Sequence, residues 1–457
     1  MLDRAKNAYA LLVSAHKELS LLQSCSAVLE WDESTYLPAG AVEHRGAQLA
    51  LLAGLEHRRA TDPRIGEWLA CVAQSDLMHD PAVAADVHAM GRSHTRALRL
   101  PVQLVEELAS AQVVAQQVWS VARERSDFAL LQPHLRRIID LKRQEAAAVA
   151  PELDPYDALL DEYEPGVRAA DLQPIFDVLH AGLADLVSTL RNRPPPPPVL
   201  HRPATHDQQR RLCERIAARV GYDFAAGRLD TSDHPFTIYL GPGDTRITTR
   251  FVDDDLTHAL FATLHEVGHG LYNQGLDTAA FGRAAGEAMS TALHESQARL
   301  WENIVGRSLG FWRDLLPQAE QILPALQDIS PHAAFRCANA LSPGLIRISA
   351  DEFAVMLNTV ADEMQANVVA FRLQEALKLL CEPPTLLDRS ATLVLVTMRS
   401  DGFTDRDKDF EDFVAIRLLD PADGFGLRDL LDSRHFTRHA IQRGFVELSF
   451  AIRLLGL

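Results

Sequence analysis

Helical periodicity runs through most of this chain, and it limits the possible folds more than any other feature. In 101–123, PVQLVEELASAQVVAQQVWSVAR, Leu104, Leu108, Val113 and Val114 form an apolar stripe, and Pro101 suits a first-turn position. The stretch 133–150, PHLRRIIDLKRQEAAAVA, mixes charged and apolar residues at the same period. One segment breaks the pattern. HPFTIYLGPGDTRITTRF, from His234 to Phe251, holds two β-branched or aromatic runs, 237–239 and 245–251, around Leu-Gly-Pro-Gly-Asp. It predicts a β-hairpin. Alternation along a strand puts Asp244, Arg246, Thr248 and Arg250 on one face, and Ile247, Thr249 and Phe251 on the other. The hairpin is placed to wall a cleft, although its polar face taken alone predicts a solvated edge. The expected class is mainly α, with a small hairpin or sheet.

Length sets the scale. With 457 residues, 47% of them hydrophobic, the chain can bury one large core or two to three smaller ones. Its only low-complexity segment, Pro194 to Pro198, predicts a stiff extended connector between helical parts. A net charge of -17 argues against nucleic acid as a partner, because phosphate binding needs a basic face. The five cysteines, Cys25, Cys71, Cys213, Cys337 and Cys381, are scattered and never form CxxC. They are expected to be buried thiols in a reducing compartment, not a disulfide framework or a thiolate metal site. The first residues, MLDRAKNAYALLVSAHKE, are amphipathic and lack a signal-peptide core. No apolar run approaches the ~20 residues that span a bilayer. The expected location is cytoplasmic, with no membrane partner.

Chemistry concentrates in TLHEVGHGLYNQG, residues 263–275. Leu260, Leu264, Val267 and Leu271 recur at helical spacing, and Asp253 to Asp255 precede them as acidic residues do at a helix start. On that helix His265 and His269 share one face, one turn apart, as two ligands of one zinc require. Glu266 stands beside them, where a general base can take a proton from a water. His-Glu-x-x-His also arises by chance in a chain with 18 histidines, so a third ligand has to be found. The extension HExxHxxGxxH fails, since Tyr272 and Gly275 occupy its last positions. GEAMSTALHESQARLWENIVG offers Glu287 and Glu295. Glu295 is preferred: Ala288, Thr291 and Ala292 on its face are small enough for close helix approach, and Arg299 can orient its carboxylate.

These residues, with others, resemble the carboxypeptidase Taq family of metallocarboxypeptidases. Its motifs appear in order: His234-Pro235-Phe236; Asp244-Thr245-Arg246-Ile247-Thr248; HEVGHGLYNQG; His294-Glu295-Ser296-Gln297 continuing RLWEN; and Ile346-Arg347 with Ala350-Asp351. WDESTYLP from Trp31 and PYDALLDEYEPG from Pro155 are similar too, so the likeness covers about residues 5–352. It implies a largely helical, zincin-like fold with a small sheet beside a deep groove, often as a homodimer. It implies a zinc-dependent exopeptidase, in which cobalt can substitute, that removes C-terminal residues of peptides with broad specificity. Carried over by position, His265, His269 and Glu295 become metal ligands and Glu266 the general base. Arg246 and Arg347 become candidates for the substrate carboxylate, with His234 and Thr248 in the substrate-binding set. The chemistry agrees, since an exopeptidase needs a fixed cation and arginine offers a two-pronged one. Ser349-x-x-Glu352 looks like a capping box, which leaves Arg347 in the preceding segment; an ion pair with Asp351 is the rival role.

Beyond about residue 352 the likeness ends, so the expected division is a metallocarboxypeptidase domain, 1–352, and a divergent C-terminal region, 353–457. The family's GxxQDxHW motif is absent, no tyrosine follows Tyr272 and no tryptophan follows Trp312. His435 and His439 are four apart with no glutamate between them, which reads as a solvated face. Two rivals stay open. One is an impaired or non-catalytic helical scaffold that keeps the metal. The other is a zinc oligoendopeptidase, which would have no use for a carboxylate clamp.

Overall fold

Asp-Pro pairs punctuate the N-terminal half of the chain. Asp62, Asp80 and Asp154 each stand at an N-cap, accept the backbone N–H two residues on, and precede a proline in the first turn. The carboxylate satisfies an orphan donor, and the fixed φ of proline suits that position. The computed structural model describes residues 2–178, 196–253 and 255–340. They form two units, 2–168 with 203–302, and 303–340 with the described parts of 169–202.

The first unit opens with α1 (Leu2–Thr35), α2 (Val42–Ala60), α3 (Pro63–Ala73) and α4 (Pro81–Arg99). Then come α5 (Val102–Glu124), α6 (Phe128–Val149) and α7 (Pro155–Tyr163). Ala8 and Leu12 of α1 pack with Ile65, Val72, Val83, Val87 and Met90 from α3 and α4. Leu104 and Leu108 of α5 meet Leu141 of α6. The stripe of α5 continues through Val113 and Ala115, not Val114, to Trp119. The α6 helix starts five residues before Pro133, because Asp127 caps it at Ala129 N.

A three-stranded sheet follows: β1 (Gly227–Thr231), β2 (Thr237–Gly241) and β3 (Asp244–Thr249), in the order β1-β3-β2. The expected hairpin is β2–β3, antiparallel, with Gly241 and Gly243 at positive φ around the turn. Its solvated-edge reading is overturned. β1 pairs parallel to the other side of β3, so β3 is central, and Thr245, Ile247, Thr248 and Thr249 are buried. On one face, Ile247 and Phe251 join a core with Cys213 and Ala217 of the helix His206–Arg219. Ala259 and Val267 of the helix Leu256–Gln274 complete it. On the other face, Arg246 lies over the Trp31 ring at 4.5 Å and Arg228, its register partner, at 5.1 Å. Numbered along the chain, with the described helical residues 169–178 as α8, these two helices are α9 and α10. The third ligand candidate rides on α11 (Thr291–Arg299), which runs into a π-helical turn, Leu300–Val305.

Gly270 of α10 fits against Tyr222. A Cβ there would stand 2.8 Å from Tyr222 Cε2 and 3.0 Å from Cδ2. The ring cannot swing aside, because the Tyr222 hydroxyl donates to Thr245 O at 2.5 Å. Gly270→Ala is therefore expected to destabilise the fold by about 1–3 kcal/mol, although alanine is the better helix former. A lower urea midpoint at unchanged slope would show it.

The second unit contains α12 (Leu309–Ile322) and α13 (Pro331–Ala338), capped by Ser308 and Ser330. Phe311, Trp312, Leu315 and Leu316 of α12 are buried. Pro196 to Pro198 are not helical, while Pro194 and Pro195 lie outside the described residues. So do the 352/353 boundary, Arg347, Cys381 and the His435–His439 pair. Of the other cysteines, Cys213 and Cys337 are buried thiols as expected, but Cys71 is half-buried and Cys25 exposed. Those two sit on helix faces turned partly or wholly to solvent. No helix among the described residues is long and apolar enough to cross a membrane.

Candidate metal centre

Asp255 starts α10 by accepting from Thr257 N, and the helix then carries His265, Glu266 and His269 on adjoining positions. Glu295 comes from the second turn of α11. The two helices touch backbone to backbone. A Cβ on Gly268 would fall 2.5 Å from both Ala298 Cα and Gln297 O, so only glycine fits there. The small residues that permit the approach are thus Gly268 and Ala298. Of the residues expected to do so, Ala288 precedes α11 altogether.

This approach brings three donors together. His265 Nε2 lies 3.6 Å from Glu295 Oε1, and His269 Nε2 lies 3.3 Å from Glu295 Oε2. The three ligand atoms all fall within 4.8 Å of one another. Glu287, the other candidate, turns away to Ser20 and His16 of α1. Two imidazoles and one carboxylate make the donor set of a catalytic zinc that keeps a position open. The residues present therefore fit the metal that the motif implies.

Outer contacts hold these groups. His265 Nδ1 donates to Glu302 Oε2 at 2.9 Å, and Arg299 Nε donates to Glu295 Oε1 at 2.9 Å. The Arg299 contact was legible from its i+4 spacing. Glu302 was not singled out, although seven residues after Glu295 places it on the same helical face. Glu266 is buried, and Thr237 Oγ1 of β2 stands 2.7 Å from its Oε2 and 2.9 Å from its main-chain oxygen.

The charge balance follows from these contacts. Burial disfavours a charged His265, but the Glu302 hydrogen bond and the charges of Glu266, Glu295 and Glu302 outweigh it and raise the imidazole to about 9. Burial likewise raises Glu295, yet the His269 hydrogen bond, His265 and Arg299 hold its carboxyl well below the usual range. Glu266 is raised, mainly by burial, against the pull of the two histidines. A metal held by His265 would have to displace its proton. Its apparent affinity is expected to climb by up to about tenfold per pH unit and level off near the raised value. That proton stabilises the metal-free fold fully below the ordinary 6.5, and the contribution fades as pH rises through about 9. Competition with a chromophoric chelator across this range would read the slope.

The substrate-binding candidates are arranged differently. Arg246 directs Nε and Nη2 to Asp244, at 2.9 and 2.7 Å, and shares the sheet face turned to Trp31. Thr237 and Ile247, paired in register, share the face turned to α10. Arg246 therefore stands on the side of β3 away from Glu266. Thr248 is fully buried. Its hydroxyl accepts from Ser232 Oγ at 2.7 Å and Phe236 N at 2.8 Å, which ties the His-Pro-Phe segment to β3. The main-chain oxygen of His234 accepts from Ser232 Oγ at 2.5 Å.

Comparison with known proteins points the same way. The family model described as carboxypeptidase Taq (M32) metallopeptidase matches residues 12–360. Thermostable carboxypeptidase 1 of Thermus thermophilus is 42% identical over 80% of this chain and 74% of its own. Carboxypeptidase 1 of Bacillus subtilis is 30% identical over 75% and 69%. The crystal structure of the M32 carboxypeptidase from Deinococcus radiodurans superposes with a TM-score of 0.67 at 38% identity, covering 74% of this chain and 69% of that one.

Proposed function

The chain belongs to the carboxypeptidase Taq (M32) family of metallopeptidases, hydrolases that act on peptides, and from that membership we propose that it is a zinc-dependent carboxypeptidase of broad specificity. The observation that carries this reading is the convergence of His265, His269 and Glu295 beside a buried Glu266. In this reading His265, His269 and Glu295 hold zinc, or cobalt in its place. A bound divalent cation would polarise the scissile carbonyl and acidify a water.

The rest falls to the chain's own side chains. Glu266 Oε2, fixed by the Thr237 hydroxyl, accepts the proton of the attacking water and returns it to the leaving amine. Burial supports this, because it raises the carboxyl toward the pH at which a base can also act as an acid. Glu302 keeps the His265 ring with Nε2 toward Glu295, and Arg299 keeps the Glu295 carboxylate from turning. Of the two arginines, Arg347 is the better clamp for the substrate carboxylate, since Asp244 already takes up the fork of Arg246. Thr248 and His234 then act by shaping the segment that leads into β2. A cytoplasmic homodimer and a domain reaching residue 352 complete the proposal on the strength of the resemblance.

Removing the metal tests it. Dialysis against a chelator is expected to abolish release of single C-terminal residues from a free peptide, and one equivalent of zinc to restore it. Release that survives the chelator would contradict the reading.

A further inference from the structure

The two histidines of the centre are held in different ways. His265 Nδ1 has the Glu302 carboxylate at 2.9 Å. His269 Nδ1 is buried and has no hydrogen-bond partner among the described residues. A metal-ligating histidine is as a rule oriented by a hydrogen bond on its second nitrogen, and among the described residues only ring contacts are left to orient His269.

Its ring neighbours supply the constraint. The His294 ring lies against it, with centroids 4.4 Å apart and planes 17° apart. His265 meets it edge-on, at 4.9 Å and 80°. His294 is itself fixed. Its Nε2 N–H donates to Asn273 Oδ1 at 2.9 Å, and Tyr272 packs edge-on against it at 4.9 Å. Asn273 is buried, one turn beyond His269 on the same helix. A flat ring at this separation limits rotation of its neighbour much as a hydrogen bond would. Turning His269 about its Cβ–Cγ bond would drive the ring edge into His294.

We propose that His294 is a positioning residue for His269, acting through face-to-face ring contact, with Asn273 locking the His294 ring in place. The inference rests on His265, His269 and Glu295 being the metal ligands. It makes the centre asymmetric, with one histidine oriented by a carboxylate and the other by a stacked ring.

Metal affinity and the visible spectrum of the cobalt-substituted protein test this without reference to turnover. His294→Ala is expected to weaken cobalt and zinc binding about 10- to 100-fold, as loss of an orienting group does, and to alter the cobalt bands. His294→Phe keeps a flat ring and is expected to stay within about threefold of the parent. His294→Leu fills the space without a flat face; it should fall with His294→Ala, and it serves if the alanine variant does not fold. Asn273→Ala should shift affinity in the same direction, by less. Two results would overturn the inference: parental affinity in both His294→Ala and His294→Leu, or a loss in His294→Phe as large as in His294→Leu. A parent chain that takes up no metal would overturn the ligand assignment together with it. Unaltered binding in the variants would overturn only the role of His294.

Discussion

Glu266→Gln is expected to lower kcat by about 10²–10⁴ while the chain still binds one zinc. The two side chains have the same shape, and the Thr237 hydroxyl, 2.7 Å from Oε2, can donate to a carboxamide oxygen as well as to a carboxylate. The three candidate metal donors are untouched. What is lost is the ability to accept a proton. If Glu266 is the base, the same residue is expected to set the acid limb of the pH profile. Burial raises its carboxyl, so the basic form disappears, as pH falls, at a higher pH than for an ordinary glutamate. A variant with kcat within tenfold of the parent would rule out Glu266 as the base.

Glu295→Ala is expected to weaken zinc binding by roughly 10²–10³-fold. A four-coordinate site worth about 10–16 kcal/mol spreads about 2.5–4 kcal/mol over each ligand, close to two to three decades of affinity. The loss here also removes the carboxylate that Arg299 Nε meets at 2.9 Å, so that of its described contacts the guanidinium keeps only a longer one to Glu302, at 3.6 Å. Glu287→Ala is the matched control, because its carboxylate meets Ser20 and His16 of α1 instead. It should leave affinity within about threefold. Equal losses in both variants would mean that the change reaches the metal through the fold and not through coordination. Metal titration by calorimetry reads both.

The centre was legible in the sequence to the extent that helical period governs it. His265, Glu266 and His269 share a helix, and the i+4 step fixes their common face without knowledge of the fold. Arg299 relates to Glu295 in the same way. Contacts between elements were not legible. Glu295, not Glu287, is the carboxylate that lies beside the two histidines, but the small residues that let it approach are Gly268 and Ala298, which only the helix crossing reveals. Thr237 meets Glu266 through the register of β2 on β3, and that register also turns Arg246 toward Trp31.

The sheet shows the same limit. β2–β3 is local and carries its own turn residues, so alternation predicted it. β1, Gly-Arg-Leu-Asp-Thr, has one aliphatic residue and no alternating pattern. It becomes a strand because β3 offers a parallel partner. Pairing of that kind belongs to tertiary context and overrides local propensity.

Exopeptidase action is read by comparing one peptide as the free acid with the same peptide amidated, using the zinc-loaded chain and a chelator control. The expected result for a carboxypeptidase is chelator-sensitive loss of single residues from the free acid alone. Internal cleavage of both peptides would contradict it in favour of an endopeptidase. Cleavage of neither, with zinc still bound, would contradict it in favour of a metal-binding scaffold.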